Sequence, residues 1–107
     1  MKPIRYKVIY RNGEKTPVAE FQRNEEGKFV FEYLENPKYE FPGFDLNTKR
    51  YTSETLWEQI AFRIPNVERD ERPGVPLEEL LQYTNGKLVT DHFEFILITE
   101  DEKANKE

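Results

Sequence analysis

The sole histidine, His92, stands directly after Asp91. A carboxylate beside an imidazole is part of a hydrolytic relay, and a nucleophile such as Ser53 or one of the threonines would have to be brought beside them to complete it. Nothing in the spacing does so, and a single histidine at a strand start is usually structural or solvated. The chain has no cysteine. Disulfides, zinc thiolate sites and cysteine nucleophiles are therefore excluded by inventory, and a reducing compartment fits. Carboxylates are plentiful but scattered. The acidic cluster Glu68-Arg69-Asp70-Glu71-Arg72 interleaves its acids with arginines and lacks the spacing of a calcium loop, so it reads as a solvated connector. Phosphate cradles need glycines close together so that backbone amides converge, whereas the 5 glycines here are dispersed at Gly13, Gly27, Gly43, Gly74 and Gly86. No catalytic residue, cofactor or metal ligand is expected, and the chain reads as non-enzymatic.

Lys2, Arg5, Lys7 and Arg11 alternate with Tyr6 and Tyr10, a mixture of cations and rings that could hold single strands. On a strand, however, the tyrosines face away from Arg5 and Lys7, so the mixture is not a surface. What remains are candidates for binding protein. Trp57 is the only tryptophan, a side chain typical of interface anchors, although its place in a helical stripe favours the core. Phe62 lies about half a turn off that stripe and must meet the segment Tyr39 to Phe44 or project to a partner. Arg63, Arg69 and Arg72 would form the polar rim, unless Glu68, Asp70 and Glu71 satisfy them internally. The expected partner-binding set is thus Trp57, Phe62, Arg63, Arg69 and Arg72.

These residues depend on an α+β framework. Ile4, Tyr6, Val8 and Tyr10 recur with period 2, as in a half-buried strand, and Asn12-Gly13 offers the two positive-φ positions of a type I′ turn. Thr16 to Arg23 should return antiparallel with Phe21 in the core, Pro17 making that strand an edge or a bulge. After a turn at Asn24 to Gly27, Lys28 to Leu34 places Phe29, Phe31 and Tyr33 on one face. Glu35 to Thr52 is irregular yet carries Tyr39, Phe41, Phe44, Leu46 and Tyr51, too apolar for a free linker. Ser53 reads as the N-cap of a helix running to Ile64, closed by Pro65, with Leu56, Trp57, Ile60, Ala61 and Ile64 as its stripe. A second helix runs from Pro76 to Asn85, with Leu77, Leu80 and Leu81 inward and Asn85-Gly86 as a left-handed cap. Phe93 to Ile98 is apolar on both sides and reads as a central strand covered by helices.

A chain of 107 residues supports one core, burying roughly 60–70% of the surface its unfolded form exposes. Only 36% of residues are hydrophobic, but 14% are aromatic, and a few large rings can replace many aliphatics. With 16 Lys+Arg against 21 Asp+Glu, the net charge of -5 favours solubility and argues against direct nucleic-acid binding. No apolar stretch approaches the ~20 residues of a membrane span, and Met1 leads straight into the first strand, so a cytoplasmic protein without membrane contact is expected. The domain should cover 1–99, with 100–107 as a polar tail that frays.

The ordered series of Asn12-Gly13-Glu14, Phe29-Val30-Phe31-Glu32-Tyr33-Leu34, Ser53-Glu54-Thr55-Leu56-Trp57, Phe62-Arg63-Ile64-Pro65 and Leu80-Leu81 resembles the N-terminal subdomain of HipA-type serine/threonine kinases. The resemblance spans about Ile4 to Ile98. Family members continue from the Leu-Leu helix through a Gly-Ala turn, and here the chain departs, with Asn85-Gly86-Lys87-Leu88-Val89-Thr90-Asp91-His92. The resemblance implies a subdomain that caps a two-lobed kinase whose ATP-binding and catalytic motifs are absent from this chain. A free-standing copy is similar to the HipS component of bacterial HipBST toxin–antitoxin systems, which supplies in trans what the kinase toxin lacks. The implied function is neutralisation of a HipT-like kinase, with DNA binding left to a HipB-like helix-turn-helix partner. A regulatory or scaffolding subunit of a kinase complex is the alternative, and a nucleic-acid-binding regulator acting through Arg63, Arg69 and Arg72 a weaker one.

Overall fold

The computed structural model describes residues 2–88 and 90–99; the expected tail at 100–107 lies outside them. The expected α+β architecture is present, built on one five-stranded antiparallel sheet. Its strands are β1 (Ile4–Arg11), β2 (Lys15–Arg23), β3 (Phe29–Tyr33), β4 (Arg50–Ser53) and β5 (Phe93–Leu97), in the order β4-β3-β2-β1-β5. The period-2 pattern sets the register: Tyr6 faces Phe21 and Leu97, Val8 faces Ala19 and Phe95, and Phe21 faces Phe31. All of these point to one face, as do Phe29, Tyr33 and Phe93, and together they form most of the core. Arg5, Lys7, Glu20 and Glu32 occupy the other face, where Arg5 pairs with Glu20 at 2.6 Å and Arg50 with Glu32 at 3.2 Å. The cationic side chains and the tyrosines of β1 are therefore separated by the sheet.

Two turns refine the expectation. Asn12 does not take a positive φ, so the first hairpin closes through Asn12, Gly13 and Glu14, with only Gly13 left-handed at φ 93. Asn12 uses its amide to donate to the Tyr39 hydroxyl at 2.6 Å, which anchors the loop without the type I′ geometry. Pro17 resolves as a bulge. The register slips between Val8 and Ile9, which face Ala19 and Pro17, leaving Val18 as the extra residue beside the proline that cannot donate.

Three corrections concern elements. The helix expected over Ser53–Ile64 is only α1 (Glu58–Ala61). Arg50 to Ser53 instead add β4 to the free side of β3, Ser53 facing Phe29 and Tyr51 facing Phe31. Ser53 Oγ accepts from Thr55 N–H at 3.1 Å in a local turn, and Trp57 is extended, with φ -68 and ψ 141. The hydrogen bonds offered by an open strand thus outcompete the helix signal. The connector after Pro65 contains a second helix, α2 (Asn66–Glu71), for which extended Pro65 acts as N-cap. The last strand is an edge, not a centre. Its apolarity on both sides has another cause: Phe93 and Phe95 face the core, while Phe95 N–H donates to Asn85 carbonyl at 2.6 Å, so the chain leaving α3 (Leu77–Thr84) covers the edge. Helix α3 itself matches expectation, with Pro76 as N-cap and left-handed Asn85 as C-cap.

Within the long segment between β3 and β4, Phe41 and Phe44 are held by one side chain of β3. Buried Tyr33 donates its hydroxyl to Phe44 carbonyl at 2.5 Å and accepts from Phe41 N–H at 2.9 Å, placing both phenylalanines against Phe31. Among the described residues, no helix is long and apolar enough to cross a membrane.

Candidate functional site

The residues that could have formed a hydrolytic relay are apart. Ser53 ends β4 and Asp91-His92 precede β5, at opposite edges of the sheet. The Asp91 carboxylate accepts from Arg63 and from Phe93 N–H at 3.1 Å, while exposed His92 sets its ring edge-on to Tyr10. A surface cleft of about 590 Å³ beside them is lined by Arg11, Lys15 and Lys87 as well as His92, with no hydroxyl nucleophile on its wall. Among the described residues, no group of three or more His, Asp or Glu side chains is disposed to hold a metal ion.

The expected partner-binding residues divide between interior and surface. Trp57 is half-buried and packs on the core, 5.0 Å from the Phe44 ring and 6.4 Å from Phe21. Arg63 is no rim residue, being only 1% exposed. Its terminal nitrogens grip Asp91, one of them also donates to Gly86 carbonyl at 3.0 Å, and its guanidinium lies 4.6 Å above the Phe41 ring. Burying a cation this fully requires a carboxylate and a carbonyl at the same spot, and both come from the segment before β5. Arg69 donates to Ala61 carbonyl at 2.9 Å, closing α2 onto the end of α1. Arg72 stacks 3.8 Å above the Tyr83 ring and lies 3.3 Å from Glu68, closing α2 onto α3. The internal use of Arg72 foreseen in the sequence is therefore realised through Glu68. All three arginines brace the fold, and Arg63 is withdrawn from the surface altogether.

Phe62 remains. It is 62% exposed at the C-cap of α1, the most exposed large hydrophobic side chain among the described residues, and Val67, on the following helix α2, is 58% exposed. No residue of α2 is buried. A six-residue helix has little stability of its own, so α2 persists through the arginine bridges rather than through an apolar stripe. Val67 was missed in the sequence because it sits among charges; the one available signal is that no periodic partner accompanies it. The result is a short, side-chain-braced platform that holds two apolar side chains out of the core. No protein-family model and no curated protein matches the chain.

Proposed function

We propose that this chain is a non-catalytic cytoplasmic antitoxin, a HipS-like module that binds and neutralises a HipA-type kinase lacking its own N-terminal subdomain. The observation that carries the reading is the exposed Phe62 at the end of α1, joined by Val67 on a helix that buries nothing. Large exposed apolar side chains on a braced platform suit recognition of another protein. The order of sequence motifs supplies the partner: a detached subdomain keeps the surface that once packed on a kinase lobe, and occupying that lobe can hold it in an inactive arrangement. A HipB-like partner would carry DNA recognition in such an assembly.

Co-expression tests this. A truncated HipA-type kinase encoded beside this chain should arrest growth alone, and the arrest should be relieved when both are made, with the two proteins co-eluting in gel filtration. Unrelieved toxicity and no complex would reject the antitoxin. A stable complex without relief would favour the scaffolding subunit instead.

A further inference from the structure

We infer that the α1–α2 platform selects a partner of basic character, namely an apolar pocket rimmed by lysine or arginine; the inference rests on the protein-binding reading above. The sequence suggests a cationic rim, and the structure reverses its sign. From Glu58 to Arg72 the acids are Glu58, Glu68, Asp70 and Glu71, and the bases are Arg63, Arg69 and Arg72. Arg63 is consumed inside by Asp91, and Arg72 is taken by Glu68 and Tyr83. Arg69 is directed at the Ala61 carbonyl, within the platform. Glu58, Asp70 and Glu71 are exposed and make no ion pair or hydrogen bond with their side chains among the described residues. Beyond the Arg72–Glu68 pair, whose arginine is 37% exposed, the platform carries three free carboxylates against one guanidinium, that of Arg69, without a carboxylate partner.

By helical spacing these carboxylates adjoin the apolar positions. Glu58 precedes Phe62 by one helical turn, Phe62 N–H donating to Glu58 carbonyl at 3.0 Å. Asp70 and Glu71 follow Val67 by three and four residues on α2 and so share its face. An apolar centre with an acidic border is complementary to an apolar pocket with a basic border. It repels acidic surfaces and the phosphates of nucleic acid. The net charge of -5 acts in the same direction at longer range.

The test is calorimetric titration of the full chain with the truncated kinase at 50 and 500 mM sodium chloride. One variant neutralises the border isosterically (Glu58→Gln, Asp70→Asn, Glu71→Gln), a second reverses it (Asp70→Lys, Glu71→Lys), and a control reverses Glu25→Lys and Glu26→Lys at the exposed turn between β2 and β3. At low salt the neutral variant should lose about tenfold in affinity and the reversed one more, with the control within about threefold and the differences shrinking at high salt. Should the reversed variant misfold, the isosteric one decides. Parental affinity in the neutral variant, or an equal loss in the control, overturns the acidic border while leaving the protein-binding reading intact. If the unmodified chain binds nothing at either salt concentration, both fall together.

Discussion

An arginine at the bottom of a core is stabilised only by what surrounds it, and Arg63 shows how many partners one guanidinium can require. It fixes Asp91, holds the Gly86 carbonyl and roofs Phe41, so two segments distant from it in sequence meet on one side chain. Arg63→Ala would strand the Asp91 carboxylate and lose the packing on Phe41, at an expected cost of about 3–5 kcal/mol, measured as a fall in the urea midpoint. Arg63→Lys should recover little, because an ammonium cannot serve both carboxylate oxygens and the carbonyl together. Tyr33 has a comparable role for the irregular segment. Burial pushes its phenol up to about 12 from 10.0, with smaller opposing and reinforcing influences from Phe41 N–H and from Glu40. Below pH 10 both folded and unfolded forms keep the proton, and the stabilisation is complete. Between about 10 and 12 the unfolded phenol ionises first, the folded state binds more protons, and stability must fall as pH rises. Buried Tyr6, which donates to Glu78 carbonyl at 2.6 Å, shifts in the same direction. Chemical denaturation from pH 8 to 11.5 should show this decline, and Tyr33→Phe should make it shallower while costing about 2 kcal/mol at neutral pH, since Phe41 N–H and Phe44 carbonyl lose their partner.

At the scale of elements, β1, β2 and β3 were legible because their alternation tolerates no other geometry once one face is buried. β4 was not: four residues carry too little pattern, and Tyr51 and Ser53 become a strand only because β3 offers its edge. The helix before Pro65 was overread for the converse reason. Leu56, Trp57, Ile60, Ala61 and Ile64 have helical spacing, yet Leu56 and Trp57 reach the same core from non-helical backbone. The arginine bridges of the candidate surface were half legible. Internal pairing through the neighbouring acids could be foreseen for Arg72, whereas the burial of Arg63 depends on Asp91, 28 residues away. This division of labour makes α1 testable. Phe62→Ala should change stability by no more than about 0.5 kcal/mol and, on the proposed function, weaken binding of the kinase by about 2 kcal/mol, since its ring lies mostly outside the core. Trp57→Ala should instead cost about 3 kcal/mol of folding stability, as its ring leaves Phe21 and Phe44 uncovered. Equal stability losses for both, in thermal melts, would mean that the exposed ring has a packing role after all.

For the molecule as a whole, the question is whether a domain with one helical layer and a charged open sheet face behaves as one unit. The Cα radius of gyration, 13.6 Å, is close to the roughly 13 Å expected for a compact chain of this length. The aromatic core is continuous across the sheet: Tyr6 contacts Phe21 and Phe95, Phe95 contacts Phe41, and Phe41 contacts Phe31 and Phe44, so the irregular segment and both halves of the sheet share the same rings. No subset of strands keeps a complete core if the rest departs. Trp57 lies at the margin of this cluster, and as the only tryptophan it reports on the α1 region, while far-ultraviolet circular dichroism reports on the sheet and α3. Because Trp57 contacts Phe44 and Phe21, which belong to that shared core, its emission should change at the same denaturant concentration as the dichroism, with one transition and one slope. A fluorescence midpoint clearly below the dichroism midpoint would show that the α1 region opens before the sheet. The platform holding Phe62 would then be a locally unstable element that a partner must order, and the cost of that ordering would be taken from its affinity.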